Sequence, residues 1–187
     1  LKFRLAQNYD TKRQIAKVAA ANVQDNETIM IESGSTCALM AAELAQAGKR
    51  VTIITISFFI ANYVRDYPNI SVNVLGGEYQ SDSQVAVGPL TKAMLANFHT
   101  NKLFLGTDGF DTQFGFYSND IMRADTVQAM VENAEQTIIL TDSRKFQSKS
   151  TVRQLAFNQV DTVITDPKIP TNVQDLLQQN RINVTLA

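Results

Sequence analysis

The sequence predicts an α/β fold, a mostly parallel sheet flanked by helices on both faces. Three observations carry this expectation. Short apolar runs rich in Val and Ile alternate with stretches of helical period from one end of the chain to the other. The runs are nearly continuous in apolar character, as strands buried on both faces are. The four prolines and eight glycines are scattered at the ends of these stretches, with no repeat, low-complexity tract or linker between them. One domain spanning residues 1–187 is the simplest organisation.

Taken in order, Thr11 to Gln24 places Ile15, Val18, Ala19 and Val23 at helical spacing, and Asp25-Asn26 ends that helix before the strand Thr28 to Ile31. Thr36 to Ala47 reads as a helix closed by Gly48, and Val51 to Thr55 as a β-branched strand. Ser57 caps a helix that runs to Tyr67 and stops before Pro68; Ile70 to Leu75 is the next strand. Val85 to Asn97 reads as a helix, Lys102 to Gly106 as a strand, Asp120 to Asn133 as a helix and Thr137 to Thr141 as a strand. The strand Val160 to Thr165, the helix Thr171 to Gln179 and the strand Ile182 to Thr185 complete the alternation.

Composition excludes several classes. Seventeen basic and 18 acidic side chains give a net charge of −1, so this polypeptide carries no electrostatic footprint for nucleic acid. The most apolar stretch, Val51 to Val64, is interrupted by Thr52, Thr55, Ser57 and Asn62 and is too short to span a bilayer. A single cysteine, Cys37, and a single histidine, His99, argue against an internal disulfide and a zinc site, and with no signal segment before Tyr9 they predict a cytoplasmic protein. The opening Leu1-Lys2-Phe3, without methionine, leads us to expect a portion of a longer polypeptide.

In parallel sheets ligands collect at the carboxyl ends of strands, so the loops after the strands are the candidate sites. The first is Ser33-Gly34-Ser35-Thr36, where a tight glycine turn, the free amides of a helix start and two hydroxyls could cradle a phosphate, or where Ser and Thr simply cap the helix. Neither GxxxxGK[ST] nor GxGxxG occurs, so no nucleotide cofactor is expected. The second, Gly76-Gly77-Glu78-Tyr79-Gln80-Ser81, permits close backbone approach to a ligand or is a plain turn. In the third, Gly106-Thr107-Asp108-Gly109-Phe110-Asp111, two carboxylates could do acid/base work, hold sugar hydroxyls, or bond their own backbone. The fourth, Asp142-Ser143-Arg144-Lys145-Phe146, offers Lys145 as a countercharge for the same phosphate, unless it is only a solvated lysine. Cys37 reads as a small buried filler, and His99 lies in a polar connection with no assigned role.

The order of these loops resembles the effector-binding domain of the DeoR family of bacterial sugar-operon repressors. The resemblance runs through Lys12 to Val23, IMIESGSTCALMAAEL (Ile29 to Leu44), Gly76-Gly77, KLFLGTDGFD (Lys102 to Asp111), TDSRKF (Thr141 to Phe146) and VDTVITD (Val160 to Asp166). It implies a fold like ribose-5-phosphate isomerase and a domain that binds a phosphorylated sugar or related metabolite. It also implies a winged helix-turn-helix, absent from this chain, through which alone operator DNA would be bound, and a homo-oligomer, dimer or tetramer.

Carried over residue by residue, the resemblance puts Ser33, Gly34, Ser35 and Thr36 on the phosphate with Lys145 as countercharge. It places Asp108 and Asp111 on sugar hydroxyls, and Gly76, Gly77 and Tyr79 in a wall of the pocket. Ser57 matches the family's serine after the second strand, although Ile56 stands where an asparagine usually precedes it. Arg123 stands where the family often has a glutamate; facing the pocket, it would favour a more anionic ligand.

The isomerase itself is the enzyme alternative, since Asp108-Gly109-Phe110-Asp111 is similar to its catalytic DGxD segment. Residues 112–122 (TQFGFYSNDIM) contain no lysine where the isomerase needs one, and Thr112 replaces its glutamate. Without a cationic stabiliser the acid/base step fails, so we expect a binding pocket and no enzyme, cofactor or metal. An oligomerisation module with a vestigial pocket is the remaining alternative.

Overall fold

The computed structural model describes residues 2–187; the opening Leu1 lies outside them. Two short helices come first, α1 (Lys2–Ala6) and α2 (Tyr9–Ala21), joined at Asn8, whose φ of 51° is left-handed. The first half continues as β1 (Thr28–Ile31), α3 (Ser35–Gln46), β2 (Val51–Thr55), α4 (Phe58–Tyr63), β3 (Ile70–Val74), β4 (Glu78–Gln80), β5 (Val85–Val87) and α5 (Pro89–Leu95). Next come β6 (Thr100–Leu105), β7 (Gly109–Asp111), β8 (Gly115–Ser118), α6 (Ile121–Glu132) and β9 (Ala134–Leu140). A 3-10 turn (Ser143–Gln147), β10 (Val152–Leu155), β11 (Thr162–Thr165), α7 (Thr171–Gln179) and β12 (Asn183–Leu186) complete the chain.

Seven strands form one parallel sheet in the order β12-β11-β9-β6-β1-β2-β3. The apolar runs of the central strands divide residue by residue between two cores, which is why they look continuously hydrophobic. Ile29, Ile31, Ile53, Phe104, Ile138 and Ile164 face one side, where α2, α3 and α4 supply Ile15, Leu44 and Ile60. Met30, Ile54, Leu103, Leu105, Ile139 and Val163 face the other, against Leu95 of α5, Val127 and Met130 of α6 and Leu177 of α7.

The chain runs from β1 outward through β2 to β3, then returns to lay β6 on the opposite side of β1 and continues outward through β9. The strand order therefore reverses between β1 and β6, which opens a crevice at their carboxyl ends.

Several elements differ from the sequence expectation. Val85-Ala86-Val87 is not the start of a helix; it is a strand paired antiparallel with Glu78–Gln80, and the helix begins only at Pro89. A run this short has no distinguishable period, and the proline marks the true helix start. A second small sheet, β10-β8-β7, carries Phe110 and Phe116 into the second core and was not expected. The helix after Ser57 stops at Tyr63 rather than Tyr67. No helix among the described residues is long and apolar enough to cross a membrane.

Candidate functional site

The crevice at the strand reversal is a cleft of about 130 Å³, built from the loops after β1, β6 and β9 and roofed by α1 and the start of α2. Glu32, Ser33, Gly34, Ser35 and Thr36 line one side; Gly106, Thr107 and Asp108 line the floor; Thr141, Asp142, Arg144 and Lys145 line the other.

In the first loop the cap of α3 is a glycine. Gly34 holds the N-cap position of α3 at φ 101° and contributes no side-chain cap, so neither Ser35 nor Thr36 serves as one. Ser35, Thr36 and Cys37 at the start of α3 line the cleft, and the first-turn amides of a helix lack helical acceptors and carry the positive end of its dipole, which favours an anion. Ser33 is committed differently: its hydroxyl donates to Glu32 Oε1 at 2.7 Å.

The fourth loop is held from outside. The Asp166 carboxylate, just past β11, accepts the Ser143 backbone N–H at 2.7 Å and the Ser143 hydroxyl at 2.8 Å. This clamps the 3-10 turn that presents Lys145 to the cleft. Burial pushes the Asp166 carboxyl up, but the Ser143 hydrogen bonds and the Lys168 N–H outweigh it and hold it below its ordinary 3.8.

Five basic side chains line the cleft, Arg4, Lys12, Arg123, Arg144 and Lys145, against three acidic ones, Glu32, Asp108 and Asp142. Arg123 pairs with Asp108 at 2.5 Å and lies 3.8 Å from Glu32, and Arg144 pairs with Asp142 at 2.9 Å. Arg4 of α1 reaches Asp108 at 3.7 Å. Among the described residues Lys12 and Lys145 make no ion pair. The cleft thus keeps two unneutralised ammonium groups beside a helix N-terminus.

Lys12 is one cleft residue that pattern reading missed. It lies on a helix whose apolar period accounts for its neighbours, yet it is only 6% exposed and donates to the Arg4 carbonyl. Burial lowers its pKa below the ordinary 10.5; nearby Asp142 acts against that shift, while Arg144, Lys145 and Arg4 reinforce it. Burial likewise pushes Glu32 above its ordinary value, against the pull of Arg123. Cys37 touches the cleft, but burial drives its thiol well above 9.0, in keeping with a filler.

A second, wider cleft of about 570 Å³ shares Arg4, Ser33, Gly34, Asp108 and Arg123 with the first and extends past Tyr79, Gln80 and Ser81 to Asn119 and Asp120. Of the sequence candidates, Ser33, Gly34, Ser35, Thr36, Lys145, Asp108 and Arg123 therefore converge on the first cleft, and Tyr79 joins at the second.

Ser57, Gly76, Gly77 and Asp111 line neither cleft. Ser57 is fully buried and caps α4 by accepting the Ile60 N–H at 3.1 Å. Gly77 packs on α5: a Cβ there would stand 2.0 Å from Thr91 Oγ1 and 2.8 Å from the Val87 carbonyl oxygen. Asp111 accepts the N–H groups of Gln113 and Phe114 at 2.8 and 3.1 Å, a turn bonded to its own backbone. The cause for Ser57 and the glycine pair is strand order, since β2 and β3 lie beyond β1 on the side away from β6.

Comparison with known proteins bears on the family and the fold. The model of the DeoR C terminal sensor domain matches residues 7–167. The HTH-type transcriptional regulator GolR of Listeria innocua is 29% identical over 98% of this chain and 72% of its own length. The HTH-type transcriptional regulator UlaR of Shigella dysenteriae is 30% identical over 93% of this chain and 68% of its own. Among solved structures, ribose 5-phosphate isomerase A from Neisseria gonorrhoeae aligns with a TM-score of 0.54 at 19% identity, over 74% of this chain and 53% of that one, a likeness of fold.

Proposed function

This chain belongs to the DeoR C-terminal sensor domain family, and from that premise we propose that it senses a phosphorylated sugar or related metabolite for a transcriptional regulator. The observation that carries this reading is the convergence of Lys12, Lys145 and the uncapped start of α3 on one cleft. Two unpaired ammonium groups and a set of helix-start amides suit a dianion, and they hold it without any carboxylate partner to displace. The wider cleft, lined by Tyr79, Gln80, Ser81, Asn119 and Asp120, supplies the polar groups that the hydroxylated body of such a ligand would meet.

Sugar-phosphate isomerisation fits less well. Asp111 is tied to its own turn, and Asp108 is paired with Arg123, so neither carboxylate stands free as a base. In this reading the protein is not an enzyme. It works in the cytoplasm as a homo-oligomer, and DNA is contacted by a winged helix-turn-helix beyond this chain. Ligand binding shifts a population between arrangements of that oligomer and so alters operator binding.

The test is a thermal-shift screen against pentose and hexose phosphates, the corresponding free sugars and inorganic phosphate, with chromatography of the mixtures. A ligand at about 100 Kd adds ~2.7 kcal/mol of stability. We expect a raised Tm with one phosphorylated sugar, none with its free sugar, and no conversion. Conversion would establish the isomerase instead, and no shift with any phosphate would leave an oligomerisation module.

A further inference from the structure

Gln154 is a buried polar residue that the phosphate cradle does not use. It is only 3% exposed, it lines the first cleft together with Glu32, Asp108 and Arg123, and its side-chain Oε1 is buried with no hydrogen-bond donor among the described residues. A buried carboxamide oxygen without a partner is costly, so such groups are rare unless a site requires them.

The local backbone turns Gln154 inward. Along β10 the register against β8 slips between Arg153, opposite Tyr117, and Leu155, opposite Phe116, leaving Gln154 as the extra residue of a bulge. Without the slip, neighbouring residues would alternate between faces; here Gln154 and Leu155 are both buried while Arg153 lies outside, over the Phe114 ring at 3.7 Å. The bulge is anchored rather than loose. Gln128 of α6, the helix that also carries Arg123, donates its amide to the Gln154 carbonyl at 2.5 Å, and Gln159 donates to Gln128 Oε1 at 2.7 Å. Only the Gln154 side chain is left without a bond to the protein.

The polar environment selects its partner. Arg123 gives its Nη2 to Asp108, while its Nε, also buried, has no hydrogen-bond partner and makes no bond to Oε1; an ionised phosphate oxygen is an acceptor that an amide oxygen would repel. What Oε1 lacks is a donor, and what a phosphorylated polyol offers beside its phosphate is an O–H. We propose that Gln154 determines specificity by reading a hydroxyl of the ligand's carbon skeleton, the hydroxyl donating to Oε1. This inference rests on the phosphorylated-sugar reading and adds to it the group that separates a sugar phosphate from a bare phosphate.

The test uses the chain as it stands, with Gln154→Leu and Gln154→Met. Each is titrated calorimetrically with inorganic phosphate, ethyl phosphate and the pentose and hexose phosphates, and the Tm without ligand is recorded. We expect about a tenfold loss of affinity for the preferred sugar phosphate, the size of one lost neutral hydrogen bond. Affinity for inorganic phosphate and ethyl phosphate should stay within twofold of wild type, and the Tm without ligand should be equal or higher, since a buried unpartnered acceptor has been removed.

A merely structural Gln154 would give a lowered Tm and parallel losses for every phosphate. That result, or an unchanged sugar-phosphate affinity, overturns the proposal. If Gln154→Leu does not fold, Gln154→Met, closer in shape, decides on the same criteria. Wild-type protein that prefers no sugar phosphate rejects the underlying functional reading. Wild-type protein that binds one, with variants that bind it equally well, rejects only the role of Gln154.

Discussion

Arg123 Nη2 stands 2.5 Å from Asp108 Oδ2, and both side chains are largely buried, at 14% and 9% exposure. The pair joins the start of α6 to the loop after β6, and its Nε lies 3.8 Å from Glu32 at the end of β1. One guanidinium thus sits among the carboxylates of two strand ends at the sheet's reversal point, its Nη2 bonded to Asp108 and its Nε without a hydrogen-bond partner.

Removing that guanidinium should be damaging. Arg123→Met strands Asp108 and Glu32 in a buried site, and breaking a buried pair in this way typically costs about 3–5 kcal/mol. Urea denaturation at pH 7 should show this loss. It should shrink on acidification as the Glu32 carboxyl, pushed up by burial, protonates, whereas a loss independent of pH would mean that packing alone is responsible.

Lys12→Met should separate binding from stability in the opposite direction. Burial lowers the Lys12 pKa, so the folded protein bears a cost for the charged form at every pH below that lowered value. The variant should have a higher Tm without ligand and bind inorganic phosphate about tenfold more weakly or worse, the scale of a lost charge-assisted bond. Between the lowered pKa and 10.5 the unfolded chain holds more protons than the folded one, so wild-type stability rises with pH relative to the variant. Melting curves across the alkaline range should show the difference narrowing.

Asp166 acts on the cleft through Ser143. Asp166→Ala leaves the Ser143 N–H and hydroxyl without their acceptor, and losing two bonds to a charged group should cost about 3 kcal/mol at pH 7. Its carboxyl is held below 3.8, so the stabilisation is complete above that value and is lost as pH falls through the lower folded value. Wild type and variant should therefore converge in strong acid. Anion affinity should fall as well, since the turn that carries Lys145 is released.

Gly77→Ala tests whether the glycine pair belongs to the site. The added methyl would meet Thr91 and Val87 at a φ of +150°, and strain plus overpacking should lower stability by about 1–3 kcal/mol. Phosphate affinity should be retained. A stable variant that had lost its ligand would restore Gly77 to the pocket wall.

Most of the large sheet was legible because each central strand is a short β-branched run bounded by turn residues, as at Val51–Thr55 and Thr162–Thr165. The small strands were not. Val85–Val87 is indistinguishable from the first turn of a helix by composition, and β10 is readable as a strand only through its pairing with β8. Within the site, the loop Ser33–Thr36 and Lys145 declared themselves by position after a strand. Lys12 and Gln154 did not, because one occupies an ordinary helical position and the other depends on a register slip.

What the sequence by itself determined is the alternation of strands and helices and, through it, that the candidate loops would follow strand ends; these follow from local hydrophobic period and turn chemistry. The order of strands in the sheet was decided only in three dimensions. That order brings the ends of β1, β6 and β9 together, sends Ser57 and Gly76-Gly77 to the far side of β1, and closes Arg123 on Asp108. Such relations join residues far apart in the chain, and burial sets their charges by excluding water, which no local pattern records.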